Sequence, residues 1–109
     1  MSRSLRIALA IVEASSLPLL ILIVLYTLTG YQMLYPSAYF FPSSRAIHVD
    51  PLLRVIFVVL VYLHSLAGLI IVVERRVRHR LIKETLEYIV IACLSAFLAL
   101  AITLDILFK

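Results

Sequence analysis

Charge spacing constrains this chain more than any other feature: no Asp, Glu, Lys or Arg occurs from Ala14 to Ser44, Val55 to Val73 or Tyr88 to Leu104. A hydrocarbon core about 30 Å thick takes about 20 helical residues to cross. Helices are the form such runs take in lipid, because each satisfies its own backbone hydrogen bonds. The three runs predict an all-α integral membrane fold, with helices near 7–29, 53–74 and 84–107. Composition agrees: 64% of the 109 residues are hydrophobic and 15% charged, and the mean hydropathy is +1.13. A soluble domain runs at about 45–50% apolar and about 25% charged. A globule this small leaves much of its surface in water and has no room to hide the excess. An ordinary soluble enzyme is therefore excluded, and the single Cys93 excludes an intrachain disulfide scaffold or a cysteine-rich metal site.

The formal charge of +4 would suggest nucleic acid in a soluble chain, but here the arginines flank apolar runs and report topology instead. Three spans put Arg3, Arg6, Arg75, Arg76, Arg78, Arg80 and Lys83 on one side, against Arg45, Arg54 and Lys109 on the other. The positive-inside rule then predicts a multi-pass plasma-membrane protein with its N-terminus and the Glu74–Lys83 turn in the cytoplasm and its C-terminus outside. Tyr26, Tyr31, Tyr35, Tyr39, Phe40 and Phe41 read as an aromatic belt at the outer end of the first helix. Gly30, Pro36, Pro42 and Pro51 mark an irregular connection after it. A cleaved signal peptide is the rival reading of the N-terminus. Glu13 interrupts its apolar core, which then runs on to about Leu28, so an uncleaved helix is expected. No repeat, low-complexity tract or linker is evident, and the chain is expected to form one membrane unit.

Function is left to a few polar residues. His64 stands near the middle of the second span, roughly 15 Å from either end, where a polar side chain needs a partner or a purpose. A neutral imidazole binds haem iron through one nitrogen while a hydrogen bond holds the other. Gly68, four residues on and on the same helix face, would leave room for a flat macrocycle. The alternative is a histidine bonded to a neighbouring helix, with Gly68 permitting close packing. His48, ahead of the second span, points to a second haem, a quinone contact or a plain interfacial histidine. Arg45 and Arg54 bracket it and suit haem propionates, or else anchor the helix at the interface. Glu13, beside Ser15 and Ser16, either handles protons near a quinone or pairs with Arg6 or Arg75. Pro18 is expected to kink this helix, with the serine hydroxyls satisfying the freed carbonyls. Asp105 reads as interfacial, the charged turn as a lipid or subunit contact, and Cys93 as a small packing residue. No Cys-x-x-Cys-His, nucleotide loop, zincin motif or nucleophile elbow occurs.

The order Leu28-Thr29-Gly30, Tyr35-Pro36, Tyr39-Phe40-Phe41-Pro42, Arg45-Ala46-Ile47-His48 and His64-Ser65-Leu66-Ala67-Gly68 resembles the membrane cytochrome b subunits of formate dehydrogenases and hydrogenases. The resemblance implies b-type haem at His64, and at His48, passing electrons from a catalytic subunit to quinone. That family has four or more helices. This chain has three predicted spans and no histidine in the first or third, so a second axial ligand is expected from a partner chain or symmetry mate. The layout also looks like the three-helix membrane anchors of succinate dehydrogenases and fumarate reductases, where two small subunits each give a mid-helix histidine to a shared haem. Glu74-Arg75 stands where those anchors carry an acidic-tyrosine pair, and their serine-arginine quinone motif has no counterpart here.

The expectation is a small haem b anchor subunit of a respiratory oxidoreductase, touching quinone, performing no bond chemistry itself, and assembled with membrane and soluble subunits or as a homo-oligomer. The rivals are a cofactor-free accessory subunit and a small proton or ion carrier built on Glu13.

Overall fold

The computed structural model describes residues 3–108. It is 86% helix, with no strand among the described residues. The elements are α1 (Arg3–Leu34), a short α2 (Ser44–His48), α3 (Pro51–Arg76) and α4 (Arg80–Leu107). α1, α3 and α4 are each long and apolar enough to cross a membrane. Lys109, counted above with the outer cations, lies outside the described residues.

The helices outrun the boundaries read from hydropathy. α1 continues through Thr29 and Gly30 to Leu34, and α4 begins at Arg80 rather than near residue 84. Hydropathy marks where lipid begins, not where helical backbone begins. Arg80 and Glu84, an i,i+4 ion pair at 3.3 Å, carry α4 past the apolar run. The charged turn shrinks accordingly to Val77, Arg78 and His79. α3 starts where Asp50 accepts a hydrogen bond from Leu52 N at 3.2 Å, with Pro51 in the first turn, where its missing N–H costs nothing. It ends with Arg75 and Arg76, cations that suit the negative end of a helix.

Pro18 sits inside a continuous α1. Its missing N–H frees the carbonyl of Ala14, four residues back. The serine hydroxyls do not meet that carbonyl as expected: those of Ser15 and Ser16 both lie against Val12 O.

α3 is the middle of a row. α1 packs antiparallel on one side of it, α4 antiparallel on the other, and α2 closes against α1. Ala8, Ser15, Leu22 and Thr29, buried at seven-residue steps, form the α1 seam with Leu19. Three polar ties join α3 to α4 along its length: Arg54–Asp105 at 2.7 Å, Tyr62–Ser95 at 2.9 Å and Glu74–Lys83 at 3.6 Å. Each step up α3 is matched by a step down α4, which fixes one antiparallel register. The extents of 54 × 29 × 19 Å describe a slab, not a closed bundle. No residue of α4 is buried.

Candidate functional site

Two histidines face the α1 seam at different depths. His64 Nδ1 lies 2.9 Å from Ser15 Oγ, and His48 Nδ1 lies 2.8 Å from Thr29 Oγ1. Ser15 and Thr29 are fourteen residues apart, which on a helix is about 21 Å along one face. The histidines therefore stay apart: His48 belongs to α2, and Val49–Asp50 break the chain before α3.

Proton counting assigns the donor at His48. A hydroxyl has one hydrogen and a carbonyl oxygen none. Thr29 Oγ1 donates to Leu25 O at 2.8 Å, so the proton between Thr29 and His48 comes from His48 Nδ1. Ser15 Oγ lies 2.9 Å from His64 Nδ1 and 3.3 Å from Val12 O, which also accepts from Ser16, so its one hydrogen can serve either neighbour. Both rings are thus held at Nδ1 and leave Nε2 open. Among the described residues neither Nε2 has a hydrogen-bond partner.

The two glycines differ. A Cβ at Gly30 would stand 3.3 Å from His48 Cε1, so this helical glycine makes room for the imidazole rather than marking a loop. A Cβ at Gly68 would meet nothing within 4 Å. Close helix packing inside this chain therefore does not explain Gly68, and the space beside it is on the His64 face of α3.

Around His48 the site is closed by aromatic rings. Tyr26 meets it edge-on with centroids 5.3 Å apart, and meets Phe57 at 5.0 Å. Tyr26 accordingly leaves the expected aromatic belt and faces inward, its hydroxyl sealed and without a partner. Tyr31 and Tyr35 do stack on the surface, with centroids 6.5 Å apart. Gln32 fastens the connection that delivers His48. Its Oε1 accepts from Phe40 N and Phe41 N at 2.7 and 2.9 Å, while its Nε2 donates to Phe41 O at 2.7 Å.

The remaining predicted residues scatter. Arg54 is held by Asp105, which ties α3 to α4 at that end. Arg45 is exposed and has no ion pair among the described residues. Ser16 is exposed and bonds back to Val12 O, while the neighbouring Ser15 reaches His64. Glu13 is exposed and pairs with neither Arg6 nor Arg75. Cys93 is an exposed free thiol rather than a packed one. Ser15 as the His64 partner, Thr29, Tyr26 and Gln32 were missed in the sequence. Their signal is faint: each is a polar residue on an apolar helix, and the helix face that would connect them is set by the register with α3.

Comparison with known protein families, characterised proteins and solved structures finds no match to this chain.

Proposed function

We propose that this chain is a small plasma-membrane subunit, N-terminus inside, that gives His64 Nε2 as one axial ligand to a haem b shared with a partner chain. A haem there would supply one-electron transfer between a soluble redox subunit and quinone. One observation carries the reading: at mid-span His64 is held through Nδ1 by Ser15, its Nε2 is uncommitted, and Gly68 keeps open space on that face. A metal-bound imidazole uses the same arrangement, because a hydrogen bond on one nitrogen orients the other. Ser15 is then a positioning residue. His48, also held at Nδ1 and with Gly30 beneath it, is the candidate for a second site near the outer face, where Arg45 is a cation without an ion pair among the described residues and suits a propionate. Arg54, engaged by Asp105, is dropped from that role.

The test is a dithionite-reduced minus oxidised spectrum, with a pyridine haemochrome assay, on the protein purified gently with its co-purifying subunits. A b-type signal that scales with the chain and is lost in His64→Ala is expected. Gly68→Leu should lose haem too, while leaving the helical content of the chain unchanged. Full haem content in His64→Ala would overturn the assignment.

A second reading, a cofactor-free accessory subunit, is favoured by the open row of helices and by the Ser15–His64 bond serving as an interhelical tie. It expects that deleting the chain destabilises a complex without changing its haem stoichiometry.

A further inference from the structure

From the lipid-facing side of α1 we infer that Glu13 is the docking point for a transmembrane helix of a different chain, one that presents a Lys or Arg at mid-membrane depth. Depth comes from the helix register. Ser15 is bonded to His64, the midpoint of the charge-free run Val55–Val73, and Glu13 is two residues, about 3 Å, before it on α1. It therefore lies near the bilayer centre rather than at the surface. Two residues also turn a helix by about 200°, so Glu13 faces away from the seam with α3. α4 lies beyond α3 and does not cover it.

Other exposed polar side chains at such positions satisfy themselves. Ser16, Thr27 and Thr103 donate to carbonyls four residues back. A carboxylate has no proton to give a carbonyl, and Glu13 has no partner among the described residues. Ionisable groups at this depth face other helices or pair with opposite charge. The flanks suit a close approach: Ala10 and Ser16, three residues to either side of Glu13, are both small.

Charge complementarity chooses the occupant. A second copy lying parallel would set Glu13 against Glu13, like charges at one depth. The nearest cation on that face, Arg6, is seven residues away, about 10 Å along the axis. A foreign helix with a central cation meets the carboxylate directly.

The experiment uses the full chain labelled at Cys93 in phosphatidylcholine vesicles, with energy transfer to synthetic Leu-Ala transmembrane peptides carrying a central Lys or a central Leu. The Lys peptide should associate about fivefold or more tightly than the Leu peptide. That preference should vanish in Glu13→Gln and persist in Glu13→Asp, with circular dichroism confirming unchanged helicity. Equal association of the two peptides, or an unchanged preference in Glu13→Gln, would overturn the inference. So would transfer between differently labelled copies of the chain that depends on Glu13, which would make the occupant a second copy. Haem content plays no part in the readout, so the outcome is independent of the role given to His64.

Discussion

Two hydroxyls one turn apart on α1 sit in opposite energetic situations. The Tyr26 hydroxyl is sealed without a partner, whereas Thr29, wholly buried, accepts from His48 and donates to Leu25 O. An unsatisfied buried polar group costs about 1–3 kcal/mol, and removing it with its shape otherwise kept restores part of that. Tyr26→Phe should therefore be neutral or stabilising by about 1 kcal/mol, because both ring contacts survive. Thr29→Val keeps the volume but leaves His48 Nδ1–H unpaired, and should destabilise by about 1–2 kcal/mol, with Thr29→Ser recovering most of it. Detergent-solubilised thermal unfolding reads both. A loss of stability in Tyr26→Phe would mean that the hydroxyl has a partner after all. Sequence alone singled out His64 and His48 because a histidine beside apolar runs is conspicuous. It could not show that Ser15 rather than Ser16 meets His64. Adjacent serines differ by about 100° around the helix, and the choice between them belongs to the packing of α3, not to α1.

At the scale of elements, the legible part of the fold was the set of three apolar spans, because lipid thickness leaves its mark on every run. Helix ends were less legible. Arg80–Glu84 and the Thr29–Leu34 stretch are helical outside the most apolar windows, and hydropathy carries no signal of the Arg80–Glu84 ion pair or the Tyr31–Tyr35 stack. The connection between α1 and α3 was the least legible. Its prolines announce irregular backbone, yet its shape rests on one side chain, Gln32, bonded to Phe40 and to both polar groups of Phe41. Gln32→Ala removes all three bonds at once. Amide exchange at Phe40 and Phe41 should accelerate about tenfold or more, while exchange within α3 stays as it was. Unchanged exchange at those two amides would show that the loop is held by its aromatic side chains instead.

For the whole molecule, the antiparallel row decides which charges share an end. α1 starts at Arg3 and Arg6, and α3 turns into α4 through Arg75, Arg76, Arg78, Arg80 and Lys83, so these seven cations gather at one end. The opposite end carries Arg45 and Arg54, the latter neutralised by Asp105. The positive-inside rule counts Lys and Arg rather than net charge, so among the described residues the tally is seven cations at one end against Arg45 and Arg54 at the other. The proposed orientation puts the Val77–His79 turn in the cytoplasm and the Tyr35–Ser43 connection outside. Single cysteines test it in a Cys93→Ser background. In intact cells Ser37→Cys should react with a membrane-impermeant maleimide, and Arg78→Cys only after the membrane is opened. The reverse pattern would turn the molecule over, place His48 and its ring cluster on the cytoplasmic side, and move the arginine-rich end away from any cytoplasmic redox subunit.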